Sequence, residues 1–377
     1  MPDSPSHCLP AASDLPALRA MLAAWFAKNQ RHMDWRETPS LYRTVVSEFM
    51  LQQTRVDTVR PYFKRWTTLW PDFKALSGAS EEAVVKAWEG LGYYTRARNL
   101  RRLAMAVASM PSPPLTAREW AALPGVGPYT AAAIASIACG EPVAVVDGNV
   151  VRVLSRLMGD TREFRDNTAA AKAFAAPAGC LLDPAAPGIH NQAVMELGAL
   201  ICLPRTPLCP HCPLEGFCVA GKTGNPEEFP RFLPRKTEKI TITRLLCVDS
   251  GHILLFRHDT KARRLSGIYE LPDVLLFPHF HPAAGPVFVK KRAISNQLIT
   301  EVICRASPEE LHCARNAADT ANAGVFAAGN VRIHGSRHST GTLAGSLEWM
   351  PAGQLSQISL SGPHRKWLSS FLPVPQA

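Results

Sequence analysis

Apolar residues recur at helical spacing through the first part of the chain. Six stretches between residues 15 and 220 place an apolar side chain every three or four positions, as on one face of an α-helix: "LRAMLAAWFAKNQ", "LYRTVVSEFMLQQTRVDTVRPYFKRW", "EEAVVKAWEGL", "RARNLRRLAMAVASM", "TAAAIASIACG" and "NQAVMELGALIC". Proline and glycine separate these stretches, and no long alternating strand pattern precedes residue 239. The pattern predicts an all-helical domain over residues 15–220, after a flexible N-terminus at 1–14.

The pattern changes beyond residue 220. Residues 221–239 are rich in glycine, proline and charge, which is typical of a linker. Residues 240–372 then predict two strands around a "DSG" turn in "ITITRLLCVDSGHILLFRH", two more in "GPVFVKKRAISNQLITEVICRA", and a closing helix in "GPHRKWLSSFL". The predicted fold class is therefore α + (α+β), with a helical domain followed by a smaller α+β domain.

Composition and charge narrow the class of protein. The 377 residues are 46% hydrophobic and 19% charged, as in a globular chain of two domains. No apolar run approaches the roughly 18 residues that span a bilayer, and the start lacks a secretory signal. We therefore expect a cytoplasmic protein with no membrane association. The net charge of +10 favours a polyanionic partner such as nucleic acid, although a basic surface without a ligand fits equally well.

Four of the ten cysteines lie close together, in the pattern C-x6-C-x2-C-x5-C: Cys202, Cys209, Cys212 and Cys218. The other cysteines are scattered, which disfavours a disulfide framework and favours metal binding. Zinc sites usually combine two short cysteine hairpins, and only one is present here. An iron–sulfur cluster is therefore favoured, with zinc, ligated in part by His211, as the alternative.

Two carboxylates stand in unusual contexts. Glu48 lies in the apolar run "VVSEFMLQQT", where desolvation should raise its pKa and let the carboxyl keep a proton. Asp147, in "VVDGNVVRVLSR", precedes a helical pattern and suits a helix N-cap. Capping and catalysis are compatible, because one carboxylate oxygen can cap the helix while the other faces a cavity.

A glycine turn joins two of the predicted helices. In "ALPGVGPYTAAAIAS" the turn consists of Gly125, Val126 and Gly127, and Pro128 opens the next helix. Glycine allows a tight turn and the close approach of a ligand, and free amides at the helix start can bind a phosphate. A purely structural helical hairpin is the alternative.

These motifs, taken in order, resemble one family. "SEFMLQQT", "GLGYYTRARNL", "LPGVGPYTAAAI", "VVDGNVVRVLSR", "NQAVMELGALIC" and the cysteine pattern are similar to the helix-hairpin-helix DNA glycosylases, and within them to the adenine glycosylases of the MutY family. The resemblance covers residues 15–220. It implies a six-helix barrel, a lobe with a 4Fe–4S cluster in the loop 202–218, and an active site in the cleft between them. The implied enzyme is a monomer that hydrolyses adenine from A:8-oxoguanine or A:G mispairs in double-stranded DNA.

The resemblance also assigns catalytic roles. Glu48 would protonate N7 of adenine, and Asp147, beside Asn149, would stabilise the developing positive charge on the sugar. Tyr129 stands where strand-cutting relatives have a lysine, which implies a glycosylase without lyase activity. Its hydroxyl would hydrogen-bond Glu48 or the sugar site, with simple packing as the alternative.

Further residues are implied to contact DNA. Gln53 and Tyr93 would enter the base stack, and Gln52 would contact the flipped strand. The three hairpin residues would bind a phosphate of the backbone.

The second predicted domain, 240–372, resembles the Nudix-like domain with which the family recognises 8-oxoguanine. The recognition loop corresponds to "KRAISNQL", so that Ser295 and Asn296 would contact the lesion, whereas the family's aromatic and histidine are absent. An ordinary strand turn is the alternative. No catalytic Nudix box is present in the sequence, so we do not expect nucleotide hydrolysis.

Two other functions compete with adenine release. A thymine glycosylase acting on T:G mismatches shares the helical domain and tolerates tyrosine at position 129. A non-catalytic iron–sulfur protein that binds DNA is the second alternative, and the presence of both carboxylates argues against it.

Overall fold

The computed structural model describes residues 9–234, 236–259, 262, 265–277, 279–282, 285–294, 296–316, 331–337 and 341–371. The chain divides into two compact units. Unit 1 comprises Met1–Ala79 and Asn99–Pro234, and unit 2 comprises Ser80–Arg98 and Arg235–Ala377. Within the described ranges, no helix is both long and apolar enough to cross a membrane.

The chain up to Pro234 is helical, apart from two short strands. The helices are α1 Leu15–Asn29, α2 Asp34–Glu37, α3 Leu41–Leu51, α4 Val56–Leu69, α5 Phe73–Ser77, α6 Glu81–Ala87, α7 Thr95–Ala108, α8 Ala117–Ala121, α9 Pro128–Cys139, α10 Gly148–Met158, α11 Asn167–Leu181, α12 Pro187–Leu200 and α13 Val219–Thr223. The strands β1 Glu163–Phe164 and β2 Arg231–Phe232 pair in parallel. The helical character predicted for this part of the chain is confirmed.

Two features of this part differ from the prediction. The long stretch at 41–66 forms two helices, because α3 ends at Leu51 and Gln53 adopts a left-handed φ of 55° that a helix cannot contain. Helix α11 was not predicted, because its alanine-rich sequence lacks a marked apolar stripe and contains Pro177.

The core of unit 1 includes a cluster shared by α1, α10, α11 and α12, among whose buried residues are Leu18, Leu22, Leu154, Phe174 and Leu197. The amide of Asn191, on α12, fixes the segment before α10. Its Nδ2 donates to Ser136 Oγ and to Val143 O, at 2.9 Å each, and its Oδ1 accepts from the Val145 amide at 3.0 Å. Asp147 therefore follows a segment whose backbone is bound to the core.

Unit 2 contains two sheets beside its helices, so the predicted α+β architecture is present. In one sheet β3 Glu238–Leu246 runs parallel to β8 Gln297–Arg305, which pairs with β7 Phe288–Ile294. The other has the order β4 Val248–Asp249, β5 His252–His258, β10 Gly341–Pro351, β9 Val331–Arg337, with β6 Tyr269–Glu270 pairing with β5. Helices α14 Pro308–Asn316 and α15 Gly362–Phe371 complete the described elements. The two strands predicted around the "DSG" turn do not pair with each other along their length. The strand β3, before the turn, pairs with β8, and it is the short strand Val248–Asp249 that pairs with β5.

A buried group of charges lies in unit 2. Arg244 Nη2 donates to Glu270 Oε2 at 3.1 Å, and the guanidinium lies 3.6 Å from Glu301. His258 contacts the same Glu270 oxygen at 3.1 Å, and His364 Nδ1 accepts from the Leu271 amide. Burial alone would raise the pKa of Glu270, but Arg244, His364 and His258 hold it well below its ordinary value.

Removing the Glu270 charge should destabilise unit 2. A glutamine would leave Arg244 buried without its closest carboxylate, and we expect Glu270→Gln to lower the unfolding free energy by about 3 kcal/mol at neutral pH. Because the pKa of Glu270 is depressed in the native state, its charge stabilises the fold at pH values above the unfolded pKa of about 4.3. This stabilisation is lost as the pH falls toward the native pKa. The difference between wild type and variant should therefore narrow below about pH 4.

Hydrogen exchange of the β5 amides, followed from neutral to acidic pH, measures this difference. Glu238→Gln is the matched control, because Glu238 is exposed and makes one side-chain hydrogen bond, to Gln297. Equal exchange in the two variants would contradict the expectation.

Candidate active site

Glu48 is a buried acid on α3, with 7% of the residue exposed. Tyr129, in the first turn of α9, donates its hydroxyl to Glu48 Oε2 at 3.1 Å. Burial raises the pKa of Glu48 to about 7, and the nearby charge of Asp147 adds to the rise, while the Tyr129 hydrogen bond and Arg36 act against it. Glu48 is therefore poised to hold a proton near neutral pH.

Asp147 caps α10 and stands among more hydrogen-bond donors. Its Oδ1 accepts from the Val150 amide at 2.7 Å, and its Oδ2 accepts from Asn149 Nδ2 at 2.9 Å. The residue is half-buried, but the carboxyl group itself is desolvated. Burial raises its pKa, while Val150, Asn149 and the charge of Arg152 act in the opposite direction. The predicted N-cap is present. Burial also raises the pKa of Asp147, which its position at a helix N-terminus alone did not suggest.

The structure adds charged neighbours that sequence reasoning missed. Glu196, on α12, is buried, and its carboxylate forms ion pairs with Arg31 at 2.8 Å and with Arg36 at 3.2 Å. Burial would raise its pKa, but the two guanidiniums lower it to about 2. Glu196 thus fixes Arg36, whose charge acts on Glu48. The only sequence signal was an acid inside the apolar pattern of "NQAVMELGALIC".

Asp147 is also linked to the cysteine loop through side chains of α10. Asn149 Oδ1 accepts from Arg152 Nη2 at 2.9 Å, and Arg152 Nε donates to the carbonyl of Cys202 at 2.7 Å. The same guanidinium donates to Gly198 O on α12. The orientation of Asn149 toward Asp147 is therefore set by a neighbour that is itself doubly anchored.

The predicted turn is a helical hairpin between α8 and α9. Gly125 adopts a left-handed φ of 75°, and a Cβ placed there would lie 2.5 Å from the Asn99 Cβ. Val126 is buried, whereas a Cβ at Gly127 would meet nothing within 4 Å. Gly127 is the N-cap of α9 and Pro128 its first residue. The turn therefore leaves one open approach to the free amides of α9, at Gly127.

The predicted base-stack residues have unusual backbones. Gln53 and Tyr93 both have left-handed φ angles, of 55° and 49°, which non-glycine residues adopt at a cost of about 1 kcal/mol or more. Both are exposed, and the Tyr93 ring lies under the Arg96 guanidinium at 5.5 Å. Gln52 is turned inward instead, and its Nε2 donates to Thr130 Oγ1 at 3.1 Å.

The four predicted metal-ligating cysteines are half-buried free thiols in unit 1. Burial, and then the charge of neighbouring thiols of the set, raises the pKa of Cys209, Cys212 and Cys218, that of Cys212 to about 12. Arg156 Nη1 donates to Cys202 Sγ at 3.3 Å, and the Gly221 amide donates to Cys218 Sγ at 3.4 Å.

These donors suit a thiolate-bound anionic group. Among the described residues, no three His, Cys, Asp or Glu side chains are grouped as ligands of a single metal ion. His211 is exposed on the loop.

Of the two predicted lesion-recognition residues, the structure describes Asn296, which directly precedes β8. Ser295 lies outside the described residues. Asn296 is exposed, and its Nδ2 is 3.5 Å from the carbonyl of Lys236. Among the described residues of unit 2, the partner of the Asn296 side-chain amide is this carbonyl, at the long end of the hydrogen-bond range.

The two hairpin glycines form a matched pair for a stability test. Gly125→Ala meets both a left-handed backbone and the Asn99 side chain, and we expect it to lower the unfolding free energy by about 2 kcal/mol or more. Gly127→Ala meets neither, and a change below about 1 kcal/mol is expected. Urea unfolding of the two variants measures the difference. Equal destabilisation would show that the strain at Gly125 is relieved by movement of Asn99.

Residues 46–175 match the model of the HhH-GPD superfamily of base excision DNA repair proteins. The chain is 42% identical over 341 residues to the adenine DNA glycosylase of Rattus norvegicus, covering 75% of this chain and 66% of that protein. It is 42% identical over 230 residues to the adenine DNA glycosylase of Mus musculus, covering 58% of this chain and 44% of that protein.

A bacterial relative and a solved structure extend the comparison. The adenine DNA glycosylase of Mycolicibacterium smegmatis is 38% identical over 198 residues, which cover 51% of this chain and 66% of that protein. The chain thus spans between under half and just under two thirds of these relatives. A thermostable thymine-DNA glycosylase shares the fold, with a TM-score of 0.50 and 24% identity over 56% of this chain and 98% of that one. Residues 46–175 therefore form a domain of the HhH-GPD superfamily of base excision DNA repair proteins.

Proposed function

We propose that this protein is a monofunctional adenine DNA glycosylase, which hydrolyses the N-glycosidic bond of adenine opposite 8-oxoguanine or guanine in double-stranded DNA. The observation that carries the proposal is the pair of carboxyls, Glu48 and Asp147, held in unequal environments within electrostatic reach of each other. Cleaving a glycosidic bond needs both a proton donor and an anion that stabilises a cationic sugar. The adenine glycosylases among the relatives support the choice of base.

Glu48 is the proposed general acid. The Tyr129 hydroxyl donates a hydrogen bond to the Glu48 carboxyl. The pKa of Glu48 is about 7, so this carboxyl is protonated in a large fraction of molecules at neutral pH. It donates that proton to N7 of a flipped adenine, which turns the base into a neutral leaving group as the bond to the sugar breaks.

Asp147 is the proposed partner of the sugar. Donors from Val150 and Asn149 oppose the effect of burial and favour its ionised form, whose charge then lies beside the developing oxocarbenium ion. Water adds to that ion and leaves an abasic site. Tyr129 cannot form the imine that a lysine forms with the sugar, so the strand stays intact.

Contacts to DNA are proposed at three places. Gln53 and Tyr93 extend into the base stack, supported by their exposure and by a strained backbone of the kind that functional sites hold. The open amides at Gly127, with Gly125 and Val126 shaping the turn, bind a backbone phosphate. Gln52 acts less directly, through Thr130 at the start of α9.

The four cysteines are proposed to hold a 4Fe–4S cluster. Cys202, Cys209, Cys212 and Cys218 would be the ligands, and Arg156 and the Gly221 amide would donate to the bound sulfurs. When bound, the cluster supplies iron–thiolate bonds that join the two ends of the loop. For unit 2 we propose a Nudix-like lesion-recognition domain in which the turn with Ser295 and Asn296 contacts 8-oxoguanine.

Single-turnover base release on four matched duplexes tests the proposed function. The duplexes pair A with 8-oxoguanine, A with G, T with G, and A with T, and strand cutting is read with and without alkali. We expect alkali-dependent cutting at A opposite 8-oxoguanine and G, and none in the A:T duplex. Release of T alone would replace the proposal with a thymine glycosylase, and cutting without alkali would contradict the monofunctional assignment.

Glu48→Gln tests the acid. The amide keeps the size of the side chain but has no proton to give, and we expect base release to fall by at least about 100-fold with DNA binding retained. Full activity in this variant would contradict the role of Glu48. Loss of binding together with activity would point to a structural role instead.

The pH dependence of base release tests the Glu48–Tyr129 contact. Since the protonated form of Glu48 acts, the rate should fall as pH rises through about 7. Tyr129→Phe removes a hydrogen bond that lowers the pKa of Glu48, so the alkaline limb should move to higher pH. Tyr42→Phe is the control, because Tyr42 lies on α3, as Glu48 does, but donates its hydroxyl to Trp70 O. A shift to lower pH in Tyr129→Phe would contradict the assignment.

A further inference from the structure

Arg156 is a buried arginine on α10 whose guanidinium contacts two separate segments of unit 1. On one side, Nη1 donates to Cys202 Sγ at 3.3 Å and to Leu203 O at 2.6 Å, and Nη2 donates to Pro204 O at 3.0 Å. On the other side, Nε donates to Phe229 O at 3.1 Å. Every nitrogen of the guanidinium therefore donates a hydrogen bond. Three of these bonds go to the cysteine loop, residues 202–218, and one goes to residues 226–233, here called the linker segment.

The linker segment is bound to unit 1 by further contacts. Strand β2 pairs in parallel with β1, and the Leu233 amide donates to Phe164 O at 3.0 Å. Glu227 Oε1 accepts from the amide of Thr206, within the cysteine loop, at 2.8 Å. The loop and the linker segment are thus joined at two points, of which only Arg156 is buried.

The linker segment also lines a cavity beside Asp147. This cavity, of about 450 Å³, is bounded by Asp147, Asn149 and Arg152 on the α10 side and by Glu227, Phe229 and Phe232 on the linker side. The backbone that Arg156 holds therefore belongs to a residue that lines the same cavity as the proposed catalytic carboxylate.

We propose that Arg156 is a positioning residue that ties the linker segment to the cluster-binding conformation of the cysteine loop. Because one rigid guanidinium donates to both segments, displacement of Cys202 or Leu203 shifts the donor that holds Phe229. The wall of the cavity beside Asp147 is then ordered only while the loop is held by its cluster. The inference rests on the proposed cluster at the four cysteines.

Hydrogen exchange of the full-length protein tests this coupling, with the visible absorption of the cluster recorded on the same samples. Arg156→Lys keeps the charge but cannot donate to both segments. We expect amide exchange to accelerate about tenfold or more in residues 227–233, together with residues 202–206, while α3 is unchanged. Chemical removal of the cluster from the wild-type protein should accelerate the same two segments.

Arg152→Lys is the matched control, since Arg152 lies one turn earlier on the same helix. Arg152 donates to Cys202 O and Gly198 O and, among the described residues, to no atom of the linker segment, so Arg156 still joins the loop to the linker segment in this variant and exchange at 227–233 should stay unchanged. Wild-type protection of 227–233 in both Arg156→Lys and the cluster-depleted protein would overturn the proposal. Acceleration that extends equally to α3 in Arg156→Lys would also overturn it, because Arg156 would then be a general structural residue. A wild-type protein without cluster absorption would contradict the proposed cofactor and, with it, the dependence of the cavity wall on the cluster. The Arg156→Lys comparison would then still test whether Arg156 holds the linker segment to the loop.

Discussion

Desolvation of carboxyl groups inside a helical unit is the constraint on which the proposed chemistry depends. A buried acid is costly to ionise, and how far its pKa rises is set by the donors and charges around it. Glu48 accepts a hydrogen bond from a tyrosine hydroxyl, whereas Glu196 forms ion pairs with two arginines. Asp147 accepts hydrogen bonds from a helix amide and from an asparagine side chain. The same residue chemistry thus gives Glu48 a raised pKa and Glu196 a lowered one, while at Asp147 the donors oppose the rise that burial causes.

The donors are in turn positioned by contacts distant from the reacting atoms. Asn191 binds the backbone before Asp147, Arg152 orients Asn149, and Glu196 fixes Arg36. Each of these side chains has at least one hydrogen-bonding partner on another helix, so small shifts in helix packing reach the site. Unit 2 has its own buried charges around Arg244, which link β3, β6 and α15 by the same physical means.

Much of the fold and of the site follows from local sequence. Apolar spacing predicted the helices, and composition predicted the change to strands beyond residue 238. The acid inside "VVSEFMLQQT", the cap at Asp147 and the Gly125 turn were also predictable, because each depends on neighbours within a few positions. Helix α11 and the break after Leu51 were not, because an alanine-rich helix has little periodicity and the left-handed Gln53 has no glycine to signal it.

The sequence by itself determined which residue types stand at the site and the order in which they occur along the chain. It identified Glu48, Asp147 and the four cysteines, since burial patterns, caps and spacings are local properties, and the resemblance to a family added Tyr129. Only the tertiary structure decided what each group touches. The Tyr129–Glu48 hydrogen bond spans 81 positions and the Arg156 bond to Phe229 spans 73. Contacts at such separations depend on helix packing, so no local pattern encodes the hydrogen bond that limits the rise in the Glu48 pKa or the bond from Arg156 to the linker segment.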